Sequence, residues 1–259
     1  MSIEILGVFI TLLLGVFVLI GAMVALLVSR KGQVIDFSLG LAFSVIIMLI
    51  VLDLVPEVIE HLGIKYIWLF LIFTSLGYGL LRLLDHFIPD HHEHDKMSKR
   101  EANDNLAHIG IVSSIALIIH NIVEGMAVYS TVLGDVRTGL MLAIGIGFHN
   151  LPLGMVITTT FYQGNQKPWK VWLSLGGVAL STMLGGILSL FLNNQAVPEW
   201  VIGSLLSITL GMLIFILFSE LWPRIRHGKF KKERNLGMCL GIIILSLIHI
   251  SEPTRQEAI

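Results

Sequence analysis

Residues 3–28 read IEILGVFITLLLGVFVLIGAMVALLV, and Glu4 is the only ionisable side chain in this stretch. A helix needs about 20 apolar residues to cross the roughly 30 Å hydrocarbon core of a bilayer. The run is longer than the apolar core of a signal peptide and has no basic residue in front of it. It therefore predicts a membrane span rather than a cleaved leader.

The rest of the chain has the same character. Of its 259 residues, 55% are hydrophobic and 14% are charged, whereas a soluble domain carries about 25% charged residues. The apolar runs are continuous rather than alternating, which favours helices over barrel strands. We predict an all-α membrane protein of eight transmembrane helices, at about 3–28, 34–59, 65–88, 107–131, 137–162, 169–192, 199–222 and 236–250.

The sequence lacks the cysteines of a disulfide-rich protein and the motifs of a nucleic-acid-binding protein. The single Cys239 allows neither a disulfide framework nor a thiolate metal site within one chain. No motif typical of nucleic-acid binding is present, so we expect no nucleic-acid partner.

The distribution of basic residues predicts the orientation. With the N-terminus outside, an eight-span chain places fourteen of the 17 Lys and Arg residues in inside loops and three outside, as the positive-inside rule requires. We therefore expect both termini outside and the loop 89–106 in the cytoplasm. This loop carries His91, His92 and His94, which either capture metal ions or belong to a solvated polar linker.

The last predicted span is unusually short, because only residues 236–250 are apolar before SEPTRQEAI follows. The final string LSLIHISEPTRQEAI resembles the translation of a transposase sequencing adapter. We expect residues 1–244 to be the native transmembrane domain and residues 245–259 to be a non-native tail.

Two neighbouring predicted spans carry matching polar motifs at mid-membrane depth. IIHNIVEGM contains His120, Asn121 and Glu124, and GFHNLPLGM contains His149 and Asn150. An ionisable group at this depth costs at least about 2.5–3.5 kcal/mol and usually faces a bundle interior or a water path. Residues four apart share a helix face, and imidazole with carboxylate suits a divalent cation. A metal site is favoured over the alternative, polar residues that only hydrogen-bond between helices.

The end of the second predicted span, LDLVPEVIE, places Asp53 and Glu57 on one face with Pro56 between them. Asp53 lies deeper, which favours a place on the transport path. Glu57 either belongs to that path or reaches water at the outer end of its span. Glu220 is one turn from Arg224 and is interpreted as its ion-pair partner rather than as a metal ligand.

These motifs resemble the signatures of the ZIP (Zrt/Irt-like) family of divalent-metal transporters, bacterial type. HNIVEG resembles the fourth-span signature HNxPEG, HNLPLG resembles the fifth-span signature, and LDLVPE is also similar. The resemblance implies a bundle with inverted repeats that carries metal into the cytoplasm across the bacterial inner membrane by alternating access. By position, His120, Glu124 and His149 would form the main metal site. Asn121 and Asn150 would belong to an adjacent second site, with Asp53 on the path above.

The same resemblance implies the cargo and the partners. The ion, zinc first with iron or manganese as alternatives, would be transported rather than held as a cofactor. The expected partners are divalent metal ions and the lipid bilayer, with a homodimer as an open alternative.

The chain also departs from the family pattern. Leu153 stands where many bacterial members have Glu, Val123 replaces a proline, and the sixth span has no acid. We therefore expect one central metal ion rather than a pair. Two other functions stay open: an intramembrane metal-dependent hydrolase, for which neither an HExxH helix nor a clear general base is present, and a degenerate metal-sensing carrier. We predict a transporter and no enzyme.

Overall fold

The computed structural model describes residues 2–28, 32–87, 99–192 and 198–251, and apart from short turns these residues are helical and include no strand. This confirms the predicted all-α class. The elements in chain order are α1 (Ile3–Val28), α2 (Gly32–Met48), a first π-helical segment (Leu49–Leu54), α3 (Val55–Phe87), α4 (Lys99–Gly134), α5 (Val136–Gln163), α6 (Pro168–Phe191), α7 (Glu199–Phe215), a second π-helical segment (Ile216–Leu221), α8 (Trp222–His227) and α9 (Lys231–Ser251).

Six helical stretches within the described residues are long and apolar enough to cross a membrane. One of them, Ile35–His86, has 52 residues, which is more than two bilayer cores long at about 1.5 Å per residue. It is interrupted at Gly63, whose backbone is non-helical at φ 57° and ψ 180°. A positive φ of this kind favours glycine. The interruption lies where the sequence predicts the boundary between the second and third spans.

The helices pack in two groups. α1, α4, α5 and α6 contact one another extensively, while α3 packs along α7 and α2 packs along α9. The groups meet where α2 contacts α5 and where α4 contacts α7. A side-chain hydrogen bond also joins them, because Arg224 in α8 donates to Thr160 in α5 at 2.9 Å.

Glycines let the helices of the first group approach closely. A Cβ built on Gly125 in α4 or on Gly185 in α6 would lie 2.0 Å from a backbone carbonyl oxygen of the other helix. Gly21 in α1 and Gly154 in α5 make the same reciprocal contact between their helices, at 2.0 and 2.1 Å. Small residues at such crossings permit close backbone packing in membranes, and these crossings fix α4 and α5 relative to the rest of the group.

The two π-helical segments are absent from the sequence-based prediction. Asp53 lies in the first and Glu220 in the second, and each acid is followed three residues later by a proline, Pro56 or Pro223. A proline inside a helix removes one backbone hydrogen bond and crowds the preceding turn, and a widened π turn is one way to accommodate it. Such segments frequently occur at functional sites.

Candidate metal centre

Three buried side chains from α4 and α5 converge at the centre of the first helix group. His120 and Glu124 are four residues apart on α4, so they lie on one face, and His149 reaches them from α5. His120 is only 2% exposed, Glu124 8% and His149 3%. The Nε2 atom of His120 lies 2.7 Å from Oε1 of Glu124, and Nε2 of His149 lies 2.9 Å from the same oxygen.

This arrangement provides a set of ligands for one cation. The ligand atoms of the three residues all lie within 4.8 Å of one another, and the two imidazole rings are 6.1 Å apart at their centroids. Two imidazole nitrogens and one carboxylate leave a fourth position open, as at zinc sites that exchange a ligand.

Asn121 and Asn150 are fully buried, and each directly follows one of the two histidines in the sequence. The Asn121 side-chain amide donates to the Val178 carbonyl of α6 at 3.1 Å. Its Oδ1 and both polar atoms of Asn150 have no hydrogen-bond partner among the described residues. A buried polar atom without a partner costs about 1–3 kcal/mol, so these amides favour a nearby water or hydrated ion.

A cavity of about 320 Å³ leads to the ligands. Its lining includes His120, Glu124 and His149 together with Asp53 and Glu57, the two residues that the sequence assigns to the transport path. The buried ligands are therefore reached through a space lined by carboxylates.

Comparison with known proteins identifies the family. The profile described as ZIP zinc transporter matches residues 88–249, more than half of the chain. The chain belongs to the ZIP zinc transporter family. It is also similar to proteins named zinc transporter ZupT from Salmonella heidelberg (strain SL476), Salmonella newport (strain SL254) and Salmonella typhimurium (strain LT2). Each is 24% identical over 249 residues, which cover 92% of this chain and 93% of the relative.

In this ZIP protein, the one cluster of possible metal ligands found among the described residues contains a single carboxylate, that of Glu124. Leu153, four residues after His149 on α5, is uncharged and belongs to the apolar core together with Val156 and Ile157.

The structure also places residues that the motifs alone do not reveal. Thr182 of α6 is fully buried, and its hydroxyl has no hydrogen-bond partner among the described residues. Glu60 and His61 line the same cavity as the metal ligands. Their spacing after Glu57, at i+3 and i+4, is a sequence signal that could have placed them on its helix face.

The predicted metal-capturing residues of the cytoplasmic loop, His91, His92 and His94, lie outside the described residues. The pairing of Glu220 with Arg224 stays a prediction. In the structure, Arg224 donates a hydrogen bond to the Thr160 hydroxyl of α5.

Proposed function

We propose that this ZIP protein carries a divalent metal ion, zinc before iron or manganese, into the cytoplasm through His120, Glu124 and His149. The observation that carries the proposal is the convergence of both imidazoles on one buried carboxylate oxygen, at 2.7 and 2.9 Å. Family membership and the name of the ZupT relatives, zinc transporter, support the same cargo.

The transport cycle requires no covalent chemistry. A hydrated cation enters the cavity past Glu57 and Asp53 and exchanges water for the two imidazoles and the carboxylate. Glu124 supplies the only negative charge in this ligand set. Its single charge neutralises half of the charge of one divalent ion, and a second buried ion would be left without a compensating charge. We therefore assign one ion to the centre, with Asn121 and Asn150 holding its remaining water. Movement of one helix group against the other then exposes the ion to the opposite side.

This function makes the chain a transporter rather than an enzyme. The metal ion is cargo and no cofactor is needed. The hydrolase and the metal sensor are not favoured, since the family profile and the relatives' names both describe transporters.

We infer eight crossings and an inverted repeat from the packing. In this count, Ile35–Leu62 is span 2 and Gly63–His86 is span 3, α7 together with α8 is span 7, and α9 is span 8. Helices α1, α4, α5 and α6 are spans 1, 4, 5 and 6. The principal contacts then join spans 1 and 5, 4 and 6, 3 and 7, and 2 and 8. If span 1 is exchanged with span 6, span 2 with span 7, span 3 with span 8 and span 4 with span 5, the same four contacts result. Such a symmetry is expected of an inverted repeat. The π-helical segments fall in spans 2 and 7, which the same exchange relates.

The distribution of Lys and Arg residues supports an orientation for this eight-span chain. We propose both termini outside and loop 89–106 in the cytoplasm of a bacterial inner membrane, with the lipid bilayer as partner and a homodimer as the alternative to a monomer. His91, His92 and His94 would receive the ion.

We propose residues 1–244 as the native transmembrane domain and residues 245–259 as a foreign tail. Helix α9 runs on to Ser251, and Leu245 is only 2% exposed. Re-sequencing the gene tests the origin of this segment.

Uptake into sealed proteoliposomes tests the function. Native protein is expected to accumulate zinc-65 down its gradient, while His120→Ala and His149→Ala lower the initial rate to near that of empty liposomes. His227→Ala is the matched control, because it removes an exposed imidazole from α8, away from the cavity. Near-native uptake by both histidine variants would overturn the assignment of the site. Hydrolysis of an added substrate without accumulation of zinc-65 would favour the metal-dependent hydrolase.

A further inference from the structure

The cavity that reaches the metal ligands extends from them in one direction. Beyond His120 and His149 its walls include Thr131 and Thr138, which flank the short connection between α4 and α5. Among the described residues, its lining contains no α4 residue before His120 and no α5 residue after His149. In the proposed orientation that connection lies outside. The ligands are therefore open to the outside in this structure and closed towards the cytoplasm.

A second cavity, of about 270 Å³, lies at the opposite end of the molecule. Asp36, Arg224 and Lys229 are among the residues that line it, and in the proposed orientation this end faces the cytoplasm. No described residue lines both this cavity and the one that reaches the ligands. A layer of protein between the two cavities therefore separates the metal ligands from the cytoplasm.

That layer is mostly apolar and is built from both helix groups. The first group contributes Leu153, Ile157 and Phe161 of α5, and the second contributes Leu221 and Ile225. All five side chains are buried and belong to one hydrophobic cluster. A hydrated ion cannot enter such a layer without losing its water to apolar surroundings. The layer must therefore part before an ion can leave towards the cytoplasm.

One polar contact crosses this apolar layer. Nη1 of Arg224 in α8 donates to Oγ1 of Thr160 in α5 at 2.9 Å, and Thr160 is only 1% exposed. Thr160 follows His149 by eleven residues, which places it about 16 Å further along α5. A hydrogen bond from a charged donor is roughly twice as strong as one between neutral groups. This contact therefore holds the two helix groups together on the cytoplasmic side of the ligands.

We propose that Arg224 and Thr160 form a latch that keeps the cytoplasmic side closed while the ligands are open to the outside. This role rests on the proposed function, because a latch of this kind has a purpose only in a transporter. The guanidinium also repels a cation in the closed layer, where charges are poorly screened. When the groups separate, Arg224 loses Thr160 but keeps its place on the wall of the cytoplasmic cavity, so its charge can be hydrated there.

Accessibility of cysteines on the two sides of the ligands tests the latch. Thr160→Val removes the acceptor with little change of shape. In a Cys239→Ser background, Ile157→Cys reports on the buried layer and Ile146→Cys on the cavity that reaches the ligands. With Thr160→Val, an impermeant thiol reagent should label Ile157→Cys in inside-out vesicles at least about threefold faster, and Ile146→Cys in intact cells more slowly. Unchanged labelling of Ile157→Cys, or faster labelling at both positions as in a loosened fold, would overturn the proposal.

Thr158→Val is the matched control for this substitution. Thr158 is a fully buried threonine of the same helix, but its hydroxyl donates to the Gly154 carbonyl of α5 itself at 2.8 Å. Its loss should leave both labelling rates close to native, and Thr160→Ser, which keeps the acceptor, should do the same. Equal changes for Thr158→Val and Thr160→Val would show that any buried hydroxyl of α5 has this effect and would overturn the latch.

Transport kinetics connect the latch to the proposed function. The apparent affinity for an outside ion falls in proportion to the fraction of chains that are open to the outside. Thr160→Val should therefore raise the KM for zinc-65 uptake about threefold, and a native KM together with the reciprocal change in labelling would contradict the role in transport. Absence of zinc uptake by the native protein, with the reciprocal change in labelling still present, would contradict the proposed function and support the contact as a latch between two conformations.

Discussion

At the scale of single residues, Glu124 is the residue on which the centre depends most. Both imidazoles contact its Oε1 atom, and the motif that supplies His149 has the buried, uncharged Leu153 four residues later. With one carboxylate in the ligand set, loss of its charge leaves a divalent ion with neutral ligands only. The burial that protects the site from competing water also makes an uncompensated ion costly there.

Glu124→Gln isolates this charge, because it preserves the shape of the side chain. We expect the initial rate of zinc-65 uptake to fall at least about 100-fold, more than is typical for the loss of a residue that only orients a metal ligand. Glu4→Gln, an exposed acid in the first turn of α1, is the control and should transport normally. If Glu124→Gln folds normally and retains more than about a tenth of native uptake, Glu124 is not the essential charge.

At the scale of elements, the site depends on how closely α4 crosses α6. Gly125 is next to Glu124 and has no room for a side chain, because an added Cβ would lie 2.0 Å from the Thr182 carbonyl oxygen. Gly125→Ala must therefore push the helices apart, and overpacking of this kind costs about 1–3 kcal/mol. We expect a lower thermal transition in detergent together with reduced zinc uptake.

Gly176→Ala in α6 is the matched control for this substitution. A Cβ there meets nothing within 4 Å, so the same added methyl group should leave both the transition temperature and uptake close to native. Equal effects of the two substitutions would show that the crossing at Gly125 tolerates expansion.

The elements also show what sequence could and could not predict. His120 and Glu124 could be paired because helical spacing is local, and His149 because its motif lies at the matching depth of the next span. The contact of His61 with Glu199 joins residues 138 positions apart and depends on the packing of α3 along α7. Neutral Thr182 carries no sequence signal of its own. Pro56 and Pro223 are visible in the sequence and disturb the helices in which the π-helical segments lie. A proline can also produce a simple kink, so its presence alone does not predict a π-helical turn.

At the scale of the whole molecule, the two helix groups divide the functions between them. α4 and α5 supply the buried ligands from the first group, whereas Asp53, Glu57, His61 and Glu199 belong to α3, α7 and the π-helical segment that precedes α3. In the proposed cycle, an entering ion passes side chains of the second group before it reaches the buried side chains of the first. Relative movement of the two groups would separate the entry cavity from the buried centre, which would prevent return of the ion along the entry path.

The proposed direction of entry requires the end of the cavity lined by Glu60 and His61 to face outside, which the positions of loops can test. In a Cys239→Ser background, single cysteines replace the exposed residues Lys65, Arg137, Lys167 and Lys229. Eight crossings with outside termini predict that a membrane-impermeant thiol reagent labels Lys65→Cys and Arg137→Cys in intact cells. Lys167→Cys and Lys229→Cys should react only after the membrane is opened. Protection of Lys65→Cys in intact cells would contradict the division of Ile35–His86 into two crossings at Gly63, and with it the outward position of the cavity end lined by Glu60 and His61.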